Sequence, residues 1–145
     1  MQALSRSGLL MAGAVSYMRG MEIPDNVDDG ILTARELAAL DLTQTELITL
    51  SACETGLGDV TSEGVFGLQR GLKKAGANSI LMSLWKVDDE ATCMLMTEFY
   101  RFWVVEGKSK REALELAKQL VRSHKEKGWD DPKYWAAFIL LDGIE

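Results

Sequence analysis

The sequence holds a single histidine, two cysteines and two prolines among its 145 residues. Each scarcity excludes something. Two free thiols, Cys53 and Cys93, cannot build a disulfide scaffold and fit a reducing cytoplasm. With His124 alone and the cysteines far apart, no zinc-ligand spacing exists, so neither a metal nor another cofactor is expected. No stretch reaches the roughly 18 consecutive apolar residues of a membrane span. The N-terminus lacks a charged start followed by a secretory apolar core, since Ser5-Arg6 precedes only the Gly/Ala-rich Gly8–Val15. Basic residues are also few, 16 against 22 acidic, for a net charge of −6. A nucleic-acid surface needs basic clusters, whereas Lys73-Lys74 and Lys108–Arg111 read as solvated helix faces. What remains, 47% apolar and 26% charged, is ordinary for one soluble globular domain that buries a core.

Along the chain, buried runs alternate with helical patterns. Gly8–Val15 predicts an extended segment and Arg19–Gly30 an exposed loop. Thr33-Ala-Arg-Glu36 predicts a capping box opening a short helix to about Leu40. Leu47–Leu50 reads as a buried strand. Asp59, Thr61 and Ser62 suit the cap of a helix carrying Val65, Phe66, Leu68 and Leu72 and stopping at Gly76. A second buried strand spans Asn78–Leu84. Asp88 or Asp89 caps a helix through about Val105, with Met94, Leu95, Phe99 and Phe102 on one face and Gly107 as its stop. Ser109-Lys-Arg-Glu112 predicts a second capping box, before a stripe of Leu114, Ala117, Leu120 and Val121. Gly128 and Pro132 close that helix, and Tyr134–Leu141 predicts the last strand. Strands alternating with helices imply an α/β fold, with right-handed crossovers and a mostly parallel sheet flanked by helices.

The stretch Glu46–Asp59 delivers Cys53 just past the carboxyl end of the first buried strand. Ligands and chemistry collect at such ends. The thiol there is a candidate nucleophile, although one cysteine after one strand is a weak motif and the usual fate of a free cysteine is that of a small buried hydrophobe. Gly56-Leu-Gly58 fails as a dinucleotide fingerprint because the third glycine falls at Thr61, and no phosphate loop is present. The glycines serve the turn around Cys53. Glu54 is no substitute base, since residues leaving a strand diverge and its charge opposes a thiolate. Cys93, among core-like neighbours, reads as structural. His124, among Arg122, Ser123, Lys125 and Glu126, reads as a solvated mid-helix residue.

Four motifs in order, Ser51–Gly56, Glu63–Leu68, Ser83–Thr92 and Tyr134–Phe138, resemble the C-terminal half of a CHAT domain, over about Ser7 to the end. CHAT domains are caspase-like, separase-related cysteine peptidases of clan CD, often fused to tetratricopeptide repeats. The resemblance implies that Cys53 is the nucleophile of a Cys-His dyad. Its base is the histidine of an upstream His-Gly motif, which this sequence does not contain. Residues 1–145 then form the C-terminal portion of a caspase-like domain without its N-terminal strands, and the isolated chain is expected to be inactive. Those strands belong beside Leu47–Leu50, so an exposed sheet edge and self-association through it are expected. The loop Trp85–Asp89 lies where a substrate side chain rests, as in separases. Asp88 or Asp89 reads a basic side chain there, or caps the following helix, or does both. The implied partners are a protein substrate and tetratricopeptide repeats in the same or a partner chain, with no nucleic acid and no membrane. A reading of another class, a non-catalytic caspase-like interaction module, stays open. A His-Gly motif upstream of Met1 favours the peptidase.

Overall fold

A computed structural model describes residues 8–10, 14, 18–22, 29–50 and 62–142. The chain divides into two compact units, Met1–Glu46 with Thr55–Asn78, and Leu47–Glu54 with Ser79–Glu145.

In the first unit, β1 (Gly8–Leu10) and β2 (Ile31–Thr33) pair antiparallel, with Leu9 opposite Leu32. Thr33 then caps α1 (Ala34–Leu37). Its hydroxyl accepts from the Glu36 amide at 3.3 Å, and the Glu36 carboxylate accepts from the Thr33 amide at 2.8 Å. The expected capping box is therefore complete. Hydrogen bonds from the Thr33 amide, and then from its hydroxyl, hold Glu36 below the ordinary carboxylate value. Regular helix stops at Leu37 rather than near Leu40. Tighter turns carry the chain on, with the Leu40 amide donating to the Leu37 carbonyl.

Helix α2 (Ser62–Lys74) packs on α1. The approach needs Gly71, where a Cβ would stand 2.5 Å from the Ala34 carbonyl oxygen. The helix stops at Gly76, as read from the sequence, in a Schellman motif. The Ala77 amide donates to the Leu72 carbonyl and the Gly76 amide to the Lys73 carbonyl, with Gly76 at φ +99°.

The second unit is built on β3 (Leu47–Leu50), β4 (Ser79–Ser83) and β5 (Phe138–Asp142), in the order β3-β4-β5. β3 and β4 run parallel, Leu47 beside Ser79 and Leu50 beside Met82. β5 is antiparallel to β4, with Phe138 opposite Ser83. The α/β class stands, but the sheet is mixed where a mostly parallel one was expected. The connection explains why. After β4 come two helices, α3 (Asp89–Tyr100) and α4 (Lys110–Ser123), packed together across a short link at Gly107. Such a hairpin returns the chain to the end where β4 stopped, so β5 must run back along it. α3 also closes in a π-helical turn, Arg101–Val105, that the sequence pattern does not signal.

Leu81 and Phe138 on the sheet meet Ala91, Leu95 and Phe99 of α3 and Ala117 and Val121 of α4 in one buried cluster. Side chains alternate along a strand, so Ile80 and Met82 point to the opposite face, where they are buried too. Ser109 caps α4, accepting from the Glu112 amide at 3.1 Å. The second capping box forms only in this half, because the Glu112 carboxylate turns to Lys108 at 3.6 Å. The last strand also begins later than expected. Pro132–Tyr134 is a 3-10 turn capped by Asp131, and Trp135 donates its indole N–H to the Asp130 carbonyl at 3.3 Å.

Among the described residues, β3 pairs with β4 alone. A short apolar strand with one free edge is a template for pairing. Sedimentation velocity on the isolated chain is expected to show concentration-dependent self-association. A strictly monomeric chain at high concentration contradicts this.

Candidate functional site

The parallel pairing of β3 and β4 sends two chain exits out of one end of the sheet. Cys53 follows Leu50 by three positions and lies outside the described residues, as do Glu54, Gly56 and Gly58. The neighbouring exit, Leu84–Asp88, is described and is fixed at several points. The Leu84 amide donates to the Ala137 carbonyl at 2.8 Å. The Trp85 indole N–H donates to the Lys133 carbonyl at 3.0 Å. Val87 is buried, and the Asp88 carboxylate accepts from the Ala91 amide at 3.1 Å as N-cap of α3.

The two aspartates are thereby separated. Asp88 takes the cap, and Asp89 is the first helical residue, exposed and without an ion pair among the described residues. Glu90, next along, pairs with Lys127. Because β5 starts opposite the end of β4, the Pro132–Ala137 turn belongs to this end of the sheet as well.

His124 does not sit mid-helix on a solvated face. It ends α4 at φ −83°, ψ 63°, half-buried, with its ring 5.7 Å from that of Trp129. Nδ1 lies 2.9 Å from the Leu120 carbonyl oxygen. A carbonyl only accepts, so Nδ1 carries the proton. The following 3-10 turn, Lys125–Lys127, and Gly128 at φ +72° fold the chain back and bring Trp129 under the ring. Cys93 is likewise not in the core: it is exposed. Ala91, Leu95 and Phe99 take the buried face of α3, and position 93 lies about 200° round from position 91 at 100° per residue. Glu98 and Glu106 both pair with Arg101, and Glu98 is the first cause that raises the guanidinium's pKa. Tyr100 meets the Thr49 hydroxyl at 2.8 Å, tying α3 to the strand that leads to Cys53.

One surface feature was missed from the sequence. Leu84 and Trp85, directly after a buried strand, are 41% and 40% exposed. The signal was present, a bulky apolar pair between a strand and a helix cap, but it reads as the end of the strand. Among the described residues no three His, Cys, Asp or Glu side chains gather as a metal site, and no helix is long and apolar enough to cross a membrane.

The family model of the CHAT domain matches residues 1–143. The chain belongs to the CHAT domain family. It is 33% identical over 111 residues to "Tetratricopeptide repeat protein 28" of Homo sapiens, and likewise to that of Mus musculus. Those segments cover 77% of this CHAT chain and 4% of the relatives, so it spans a small fraction of their length.

The division between the aspartates is testable by urea unfolding. Asp88→Ala is expected to cost about 1 kcal/mol, the usual loss of an N-cap. Asp89→Ala is expected to cost only a few tenths of a kcal/mol, for one charge in the first helical turn. Equal losses contradict the assignment.

Proposed function

We propose that this CHAT chain is the nucleophile-bearing, C-terminal portion of a cysteine endopeptidase of the caspase-like type. Cys53 attacks the substrate, and Asp88 and Asp89 face the substrate's side chain. The observation that carries the reading is the parallel, in-register pairing of β3 and β4. It gives the segment that continues to Cys53 and the segment that continues to Asp88 and Asp89 a common exit. Family membership supports it independently.

In this mechanism the Cys53 thiol loses its proton to a histidine base, and the thiolate sulfur forms a bond to the scissile carbonyl carbon. The carbonyl electrons move onto oxygen, where backbone N–H groups, that of Cys53 among them, stabilise the oxyanion. Collapse breaks the C–N bond, the base returns its proton to the leaving amine, and water then hydrolyses the thioester. The base is the histidine of an upstream His-Gly motif in the longer protein. His124 is not taken as that base, because it follows Cys53 by 71 positions whereas the base of the resembled motif precedes the cysteine. The relatives are named for tetratricopeptide repeats. The substrate is accordingly a protein, presented in the cytoplasm by such repeats in the same or a partner chain.

A second reading, a non-catalytic interaction module, draws on the exposed Tyr100, Val104 and Val105 at the end of α3. The two readings separate on peptide cleavage. In the protein that carries the upstream histidine, Cys53→Ala is expected to abolish cleavage and Cys93→Ala to leave it intact. The isolated chain is expected to show no turnover, since a positioned proton acceptor is worth about 10²–10⁴-fold. Cys53-dependent turnover by the isolated chain contradicts the half-site account. Full activity of Cys53→Ala in the longer protein contradicts the peptidase.

A further inference from the structure

An apolar pair that the fold holds exposed beside a candidate site offers surface that a ligand can cover. Leu84 and Trp85 are such a pair. They follow a strand whose five residues are all buried, yet each keeps about two fifths of its surface exposed. The exposure is built in. The backbone is held by the bond from the Leu84 amide to Ala137, and the only polar atom of the Trp85 side chain is satisfied by the Lys133 carbonyl. What the indole still offers is its apolar surface. Within four residues stand two exposed carboxylates, Asp88 and Asp89, the second without an ion pair among the described residues, against one exposed cation, Lys86, so the loop keeps a net negative charge.

We infer that Leu84 and Trp85 form a subsite for a bulky apolar side chain, so that the peptide taken at this end of the sheet carries an apolar residue next to a basic one. The inference rests on the peptidase reading for its location and adds the class of substrate. Charge selects the occupant. The apolar surface alone would accept many partners, but the adjoining carboxylates favour one that brings a cation and oppose one that brings an acid. The apolar residue supplies affinity through burial against the indole, and the basic residue supplies register through a charge-assisted contact at Asp89.

The test measures binding, so that it does not depend on turnover. The full-length protein with Cys53→Ala is titrated against fluorescein-labelled peptides with a central leucine–arginine pair in either order. Glycine–arginine, leucine–glycine and leucine–glutamate peptides serve as comparisons, and anisotropy is the readout. The leucine–arginine peptides are expected to bind about tenfold or more tighter than the glycine–arginine peptides, the factor that burying one such side chain provides. Trp85→Ala should remove that advantage and leave glycine–arginine binding unchanged. Trp85→Phe should keep most of it. Leu84→Asp should reduce it without touching the indole, which covers the case that Trp85→Ala does not fold. Asp89→Ala should weaken the arginine peptides alone.

Equal binding of leucine–arginine and glycine–arginine peptides overturns the inference, as does a preference that survives both Trp85→Ala and Leu84→Asp. Self-association that Leu84→Asp abolishes, with no peptide bound, also overturns it, since a second copy would then cover the pair. The peptidase reading fails separately. Selective binding without cleavage by the Cys53 protein upholds the subsite and removes the catalysis. Cys53-dependent cleavage without apolar preference does the reverse.

Discussion

Everything at the candidate site depends on β3 and β4 running in the same direction, side by side. Parallel neighbours cannot be joined by a tight turn; the chain must leave one strand, travel back and re-enter at the far end. Here the return includes α2, which lies in the other compact unit. The consequence is that both strands finish at one end of the sheet, and two segments far apart in sequence share an exit. A strand buried on both faces is written in sequence as a continuous apolar run, and β4 is buried along its whole length, whereas β3, which reads the same way, is only half-buried.

The α3–α4 hairpin adds to the same end. By reversing the chain twice it makes β5 antiparallel, and the turn that precedes β5 then supports the 84–88 loop through the Lys133 and Ala137 carbonyls. A loop held by backbone acceptors and a helix cap loses little freedom on meeting a ligand, which is the energetic advantage of a pre-formed site. Asp88 caps the helix that covers the sheet, and Asp89 beside it stays exposed, without an ion pair among the described residues. Tyr100, at the other end of that helix, reaches Thr49 on β3 and ties the cover to the strand that leads towards Cys53.

The sequence was most legible where structure is local. The capping box at Thr33 and Glu36, the stop at Gly76, the cap at Asp88 or Asp89 and the strand before Cys53 all follow from a few adjacent residues, and the motif order pointed to the family. The burial expected of Leu47–Leu50 did not follow, because among the described residues β3 is paired on one side only and stays half-buried. It was least legible where a distant partner decides. The direction of β5 depends on how two helices pack, which no residue of Phe138–Asp142 encodes. Tyr134 and Trp135 look like strand residues, but Pro132 and the bond from the Trp135 indole to Asp130 hold them in a turn. Cys93 sits among apolar neighbours in sequence, and only the helical phase turns it outward. His124 looked solvated because its neighbours are charged, whereas a chain reversal several residues later brings Trp129 against it.

The central claim is that Cys53 stands in half of a dyad, with its base outside this chain. The most direct test is the rate of Cys53 alkylation by iodoacetamide against pH, in the chain with the exposed Cys93 replaced by alanine. The account predicts an ordinary thiol, labelled slowly at pH 6 and about tenfold faster per pH unit towards pH 8, because only the thiolate reacts. A rate already flat between about pH 5 and 7 would mean a preformed thiolate. Some group within these residues would then be doing the histidine's work, and the half-site account would be wrong.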